Sequence, residues 1–498
     1  VCKNRCKTGV WVLDVMALSG NILGRSTSLP WYQKWMFWKR RRYLLTFLAF
    51  LGFYNMYALR VNLSVGIVAM NSPYNITLDN GTVVEKQDFD WDSKMRGLVL
   101  GSFFYGYMSS QMLGGWLGSR FGGRIVYGVG VGVTSFLTVL TPALTNVSVY
   151  LLLTLRILEG LFEGVTLPSM HVLWAHWIPP KELSLLIAVA YSGLSVGTVT
   201  TLPLSGLLAA WLGWPSVFYF SGAVGVLYSA VWLIVVKDRP EDDPHISPEE
   251  LNHIKESSSR NNTKIRVKHP WKKIFTSARV WALMGTHFCD AWGLYTLQAQ
   301  LPTFLKDVFQ FNIAAGGFVA SLPYIVMTIT YLITGSLGTW LQSADILSAT
   351  QVRKLFISGS LVLQAGLMTL AAHLESAPGV VLCLVLGVGF EAFALTSVGV
   401  NNQDIAPRHA SVLFGISNTI GSLAGVFSPL LAGFIVTDKS AEQWHVVFYI
   451  SSVFYMTGAV VFGLFGTADV QPWAVEESAA FSDNIKTGGV SCNEAVSI

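Results

Sequence analysis

The sequence predicts an all-α membrane protein of twelve transmembrane helices arranged in two six-helix, pseudo-symmetric halves. Three observations carry that prediction. Of 498 residues, 52% are hydrophobic and only 12% charged, about half the charged share of soluble domains. The apolar residues gather in repeated runs of roughly 20 residues or more, the length that crosses a bilayer. A polar segment at 237–279 separates six such runs from six, the pattern of two related halves about an axis along the membrane normal.

Taken in order, residues 1–42 form an N-terminal tail that ends in Lys39-Arg40-Arg41-Arg42. The first half, 43–236, holds spans near 43–70, 97–118, 125–143, 147–170, 184–210 and 216–236. The central loop, 237–279, follows. The second half, 280–466, holds spans near 280–301, 316–341, 355–373, 378–400, 410–437 and 444–466, and residues 467–498 form a C-terminal tail. The tails, the central loop and the short loops on their side carry 26 of the 33 Lys and Arg. This bias places both termini in the cytosol. The net charge of +4 is therefore an orientation signal, and nucleic acid is not expected as a partner.

The outer loop, 71–96, carries two glycosylation acceptors, Asn75-Ile76-Thr77 and Asn80-Gly81-Thr82. Asn146 lies too close to the membrane to be a good acceptor, and Asn261 faces the cytosol in this topology. The acidic patch from Asp88 to Asp92 reads as solvated surface. Five scattered cysteines (Cys2, Cys6, Cys289, Cys383, Cys492) give no disulfide framework, and no metal-site spacing appears elsewhere. With no nucleophile–base set either, an enzyme is not expected. A receptor would not need a twofold span repeat, and a channel would favour a continuous polar stripe over isolated charges.

The chemistry concentrates in the fourth span, where Arg156, Glu159 and Glu163 interrupt an apolar run. Helical offsets of three, four and seven put them on one face. A charge at bilayer depth costs about 3 kcal/mol on the lowest scales, so this face must meet a protein interior or an aqueous cavity. Two carboxylates against one guanidinium leave one acid over, which reads as a proton carrier; the bland alternative is an ion pair that locks helix packing. Arg60 lies in the first span, well inside the basic cluster. A guanidinium there can hold a carboxylate or phosphate with two hydrogen bonds. Asn62, Tyr105 and Asn418 are cavity-lining candidates, although Asn and Tyr in spans often serve packing. His171 is a proton-relay or interface histidine. Asp290, His287 and Glu391 form a second tier of intramembrane polar groups. Gly193, Gly197 and Gly206 read as helix-packing glycines.

Several motifs resemble a known family. Gly115-Trp116-Leu117-Gly118-Ser119-Arg120-Phe121-Gly122-Gly123-Arg124 is similar to the loop between spans two and three of the major facilitator superfamily, with Ser119 where many members have Asp. Gly335 to Thr339 is a weak internal echo of it after span eight. The run from Arg156 through Pro168 to His171, with Trp177-Ile178-Pro179-Pro180, Leu202-Pro203 and Asp404-Ile405-Ala406-Pro407, resembles the organic-anion transporter family of sialin, the type I phosphate transporters and the vesicular glutamate transporters. The resemblance covers roughly residues 43–473.

It implies a secondary transporter of small anions that works by alternating access in a lipid bilayer, as a functional monomer without cofactor. The coupling ion is a proton or sodium, and the membrane is the plasma membrane or a lysosomal or vesicular one. Arg60 would contact the anion, and Arg156, Glu159, Glu163 and His171 would serve charge pairing and coupling. Leu100 stands where the vesicular glutamate branch has His, and Asp290 where it has a seventh-span Arg. These departures favour a sialin-like member, with a sodium–phosphate cotransporter as the runner-up.

The topology carries its own test. In mammalian cells a glycan-dependent gel shift should disappear in the double variant Asn75→Gln, Asn80→Gln and be unchanged by Asn261→Gln. A shift that survived the double variant and was not removed by Asn146→Gln would reverse the assigned orientation.

Overall fold

A computed structural model describes residues 40–77, 83–179, 182–259 and 270–474. The tail before Arg40, the acceptor at Asn80, Asn261 and the end of the C-terminal tail lie outside these residues. The described chain is almost wholly helical. The first half contains α1 (Arg41–Met70), α2 (Ser93–Phe121), α3 (Gly123–Thr145), α4 (Val149–Gly164), α5 (Thr166–Trp177), α6 (Leu183–Leu212) and α7 (Trp214–Val235). The central segment carries α8 (Pro248–Ser259) and α9 (Trp271–Thr276). The second half contains α10 (Ala278–Phe309), α11 (Ile313–Ser343), α12 (Ala349–Lys354), α13 (Ser360–Ala371), α14 (Ala377–Ile405), α15 (Ala410–Ile435) and α16 (Ala441–Phe465).

Helices of this kind suit an apolar solvent because every internal backbone group is satisfied within the segment. Several helix starts are capped by side chains. Met95 N–H donates to Asp92 (2.8 Å), Ala315 N–H to Asn312 (2.7 Å), and Ser348 and Gln351 close a reciprocal capping box. A π-helical turn at Leu355–Gly359 joins α12 to α13 into one span, so the ninth span begins six residues before the sequence reading placed it. Among the described residues nine spans are long and apolar enough to cross a membrane on composition alone. The other three are the broken α4–α5 and the more polar α2 and α10.

The two halves repeat one packing scheme. In the first, α1 packs on α6, α2 on α4 and α3 on α7; in the second, α10 packs on α15, α11 on α14 and α13 on α16. Numbered as spans, both sets read one with five, two with four and three with six. The halves meet through α2 with α15, α6 with α11, and α1 with α10. Glycines permit the first two seams. A Cβ on Gly97 or Gly433 would run into the opposing backbone, as would one on Gly206 or Gly317. These contacts sit at the end of the bundle that bears a two-stranded hairpin, β1 (Tyr74–Thr77) with β2 (Val83–Lys86). Towards the central-segment end, a Cβ on Gly335, Gly399 or Gly415 would meet open space, and His171 and Ser192 are exposed.

Two sequence readings need correction here. The fourth span is not one helix, because α4 stops at Gly164 and α5 restarts at Thr166. Pro168 lacks the N–H that would bond to the Gly164 carbonyl, which accounts for the break. The acidic patch is not merely solvated. Asp92 caps α2, and Asp88 accepts hydrogen bonds from Trp214 Nε1 (3.0 Å) and Tyr74 Oη (3.1 Å), holding the hairpin segment on α7. Partial burial works against ionisation of Asp88, but its hydrogen bonds to Trp214, Lys86 and Tyr74 outweigh it and hold the carboxyl below its ordinary range. The basic cluster also does more than orient the chain. Arg41 bonds Asp243 (2.6 Å), and Arg42 bonds Glu182 (2.9 Å) and Glu250 (3.3 Å), tying the central segment to the first half.

Gly106 of α2 and Gly160 of α4 face each other's helix so closely that a Cβ on either would collide with a carbonyl oxygen, of Ile157 and Phe103 respectively. Gly160→Ala should therefore lower the melting temperature and yield of the detergent-purified protein, at an overpacking cost of about 1–3 kcal/mol. Gly366→Ala, where nothing lies within 4 Å, should be neutral or stabilising. Equal melting temperatures for the two variants would show that the α2–α4 seam is not a tight constraint.

Candidate functional site

The charged face of α4 points inward. Arg156, Glu159 and Glu163 are 2%, 0% and 1% exposed, while Ile157, Leu158 and Leu161 on the other side are near 40%. Arg156 Nη1 donates to Glu159 Oε2 one turn away, and Thr138 Oγ1 of α3 donates to the other oxygen of Glu159 at 2.9 Å. Glu159 is thus held from two helices.

The sequence left the second acid without a base. The structure supplies one from α1: Arg60 Nη2 donates to Glu163 Oε1 at 2.7 Å, with both side chains buried. The sequence offers Arg60 as an anion contact and leaves open which of Glu159 and Glu163 is the excess acid; the fold pairs Arg60 with Glu163, and the four groups sum to zero charge. The two pairs are not equivalent. Glu159 has both oxygens engaged, whereas Glu163 Oε2 has no hydrogen-bond partner among the described residues; the guanidinium Nε is unpartnered in both Arg60 and Arg156. Glu163 also sits at the end of α4, directly before the break.

Aromatic rings surround the Arg60 guanidinium. Its carbon lies 4.5 Å from the Tyr107 centroid, 4.8 Å from Tyr57, 4.9 Å from Phe103 and 5.8 Å from Phe104, distances at which cation–π attraction operates. Tyr295 of α10 stands edge-on to Phe104 at 4.7 Å, so the second half closes the cage. Sequence reasoning missed Tyr57, Phe103, Phe104, Tyr107 and Tyr295 as a group. Only a spatial reading reveals that three helices bring them to one cation.

The remaining candidates fall in several places. Tyr105 is 39% exposed on the face of α2 opposite Phe103 and Tyr107, and it is Tyr107 that covers Arg60. Asn62 is fully buried and donates to Ser221 Oγ (2.9 Å), joining α1 to α7. Asn418 is half-buried on α15. His171 is exposed on α5, with Nε2 2.8 Å from Tyr191 Oη and its ring edge-on to Trp174. His287 is buried with Nδ1 2.7 Å from Ser417 Oγ, which places it at the α10–α15 interface. Asp290 and Glu391 are fully buried on α10 and α14. Gly193 and Gly197 let α6 touch the α1 backbone at Phe50 and Tyr54. Asn75 lies in β1. Ser119 bonds its own helix at Gly115 O, and the acid at that corner is Asp238, which accepts from Arg124 N (2.9 Å) beside Gly122, where φ is +92°. Among the described residues no cluster of His, Cys, Asp and Glu is arranged to hold a metal ion.

Comparison with known proteins agrees with this architecture. Residues 43–429 and 351–491 match the Major Facilitator Superfamily. The chain is 38% identical over 444 residues to vesicular glutamate transporter 1 of Xenopus laevis, covering 88% of this chain and 77% of the relative. It is 37% identical over 444 residues to vesicular glutamate transporter 2 of Homo sapiens, covering 88% and 76%. Among solved structures, a bacterial homologue of the human lysosomal transporter Spinster, inward-facing and unoccupied, aligns with a TM-score of 0.66 at 16% identity, over 85% of this chain and 97% of that one. The xylose transporter of E. coli in an inward open conformation gives 0.66 at 13% identity, over 88% and 99%. These relatives are transporters and not enzymes. This chain is a multi-pass membrane protein that belongs to the major facilitator superfamily, in the family that contains the vesicular glutamate transporters.

Proposed function

We propose that this protein is a proton-coupled symporter of small organic or inorganic anions, sialin-like in type, working by alternating access. The observation that carries the reading is the Arg60–Glu163 pair, closed on one oxygen and open on the other inside an aromatic cage shared by both halves. A carboxylate or phosphate entering the cage competes with Glu163 for the guanidinium. Once displaced, a bare Glu163 at bilayer depth costs several kcal/mol, about 3 on the lowest scales, and a proton removes that cost. Anion and proton then travel together, because neither arrangement is stable with only one of them. Arg156 and Glu159, fixed by Thr138, stay paired throughout.

The bias of Lys and Arg supports cytosolic termini, and in that orientation the seams closed at the hairpin end leave the site facing the cytosol. Identity near 38% to vesicular glutamate transporters supports an anionic substrate. Leu100 and Asp290 support a substrate or coupling other than that of the glutamate branch, and the membrane remains the plasma membrane or a lysosomal or vesicular one. A guanidinium would hold phosphate as readily as carboxylate, so a sodium-dependent phosphate cotransporter is the alternative outcome of the tests.

The decisive experiment is uptake of labelled glutamate, a sialic acid and inorganic phosphate into proteoliposomes under separate proton and sodium gradients. Glu163→Gln mimics the protonated acid permanently. It should abolish proton-driven uptake yet retain exchange of labelled for unlabelled anion. Glu159→Gln should instead express poorly, since it leaves Arg156 without its acid, a loss of about 3–5 kcal/mol. If both Gln variants kept full proton-driven uptake, sodium-coupled phosphate transport would replace this reading.

Arg60→Lys keeps the charge and loses the planar fork. Uptake should fall by about tenfold or more, roughly 1.4 kcal/mol of lost interaction, with yield and melting temperature near wild type. Unchanged uptake would remove Arg60 from the anion's path.

A further inference from the structure

The repeat of packing between the halves assigns a counterpart to each helix of the site. By the order of packing, α10 corresponds to α1 and α14 to α4. Glu391 lies fourteen residues past Ala377, the first residue of α14, as Glu163 lies fourteen past Val149, the first of α4. In the first half the acid of α4 meets a cation from α1. In the second half the acid of α14, Glu391, and Asp290 of α10 are both fully buried on helices that pack against each other. An arginine–acid pair on one side of the molecule is thus matched by an acid–acid pair on the other.

That acid pair is fully buried and lacks partners. Asp290 and Glu391 are both 0% exposed, and among the described residues none of their four carboxyl oxygens makes a hydrogen bond of normal geometry. Among the described residues neither acid forms an ion pair with a Lys or Arg. Two further polar side chains are turned towards them and are likewise unsatisfied. The Gln364 amide of α13, 1% exposed, lies against Asp290, and the Tyr324 hydroxyl of α11, 4% exposed, lies within the field of Glu391. The other titratable groups within reach of the pair's charge are Tyr331 of α11, Tyr455 of α16, Tyr57 of α1, and Tyr295 and Cys289 of α10. His287, one turn before Asp290, is engaged by Ser417. Oxygen atoms predominate in this set, and it carries no fixed positive charge. Two uncompensated carboxylates cannot persist at bilayer depth, and oxygen ligands suit a small hard cation or a proton.

We infer that Asp290 and Glu391, with Gln364 and Tyr324, form a monovalent-cation site in the second half, loaded by a proton or by sodium and separate from the Arg60–Glu163 pair. Its role as a second coupling site rests on the transport reading above; the binding itself does not. The site explains why Asp is tolerated on α10: the charge that Arg60 provides permanently in the first half is provided reversibly here. Transport of an anion with this ion would then carry at least one more positive charge than the first-half pair alone allows.

Binding can be read without any transport substrate, because a ligand that prefers the folded state raises the melting temperature. The purified full-length protein in detergent is titrated with sodium chloride against choline chloride at fixed pH, and separately with pH in the absence of sodium. Wild type should gain a few degrees in one of the two titrations. A sodium response at fixed pH identifies sodium, and a pH response without sodium identifies a proton. Asp290→Asn, Glu391→Gln and the double variant should flatten that response, while Glu163→Gln should retain it. Asp290→Asn and Glu391→Gln remove buried charge, so they should fold at least as well as wild type. Should one of them fail to fold, the other carries the comparison. A flat wild-type response in both titrations, or a double variant with the wild-type response, overturns the inference. Anion exchange in proteoliposomes is scored separately, so loss of the transport reading would leave this result standing.

Discussion

The organisation of the molecule follows from one constraint: a charge placed at bilayer depth must meet its opposite. The α4 face brings three charges into the membrane with a net value of minus one. The fold answers by aligning α1 so that Arg60 reaches Glu163. The long side chains of Arg60 and Glu163 bridge α1 and α4, and glycines let α2 and α4 run close together beside them. Gly106 and Gly160 bring α2 against α4, which in turn sets Phe103 and Tyr107 over the guanidinium. Helix packing and electrostatics are here a single problem, because lipid tails supply no hydrophobic drive to hold helices together.

The same constraint is met differently by the two ion pairs, which differ in how completely they are hydrogen-bonded. Glu159 is bonded to Arg156 within its own helix and to Thr138 from α3, so moving it would break contacts on two sides. Glu163 has one bond and one idle oxygen, and it ends a helix whose next turn is broken by Pro168. Local freedom and incomplete hydrogen bonding therefore coincide at Glu163. A coupling residue needs both, because it must exchange partners without unmaking the bundle.

Much of this was legible in the sequence, for reasons that differ from residue to residue. The spans were visible because bilayer thickness imposes run length, and the face of α4 because helical periodicity fixes which residues share it. Arg60 and Glu163 were each visible as expensive charges. Their pairing was not, since 103 residues separate them and no local pattern encodes which helix α4 will meet. The aromatic cage was hidden for the same reason; Phe and Tyr in a span look alike whether they face lipid or a cation. Tyr105 and Tyr107 lie two residues apart in one apolar run, and only the helix face on which each falls, Tyr105 outward and Tyr107 over Arg60, tells them apart. The break at Val165 was signalled by Pro168 but obscured by the unbroken apolar run around it. Asp88 appeared solvated because its partner Trp214 lies on another helix.

The alternating access proposed above would add a requirement that a static bundle does not have. The halves meet along α2–α15 and α6–α11 at backbone-to-backbone distance, through glycines at the hairpin end. Side chains also cross these seams, as where Phe103, Phe104 and Tyr107 pack with Val426 and Tyr295. Phe104 and Tyr295 cross between the halves just where Arg60 is caged. A change in the partner of Arg60 is therefore felt at the contact that rocking must break. In the proposed cycle the Arg60–Glu163 exchange and the opening of the bundle would act on the same few side chains, and this shared location would give the binding event a physical means of biasing which way the bundle faces.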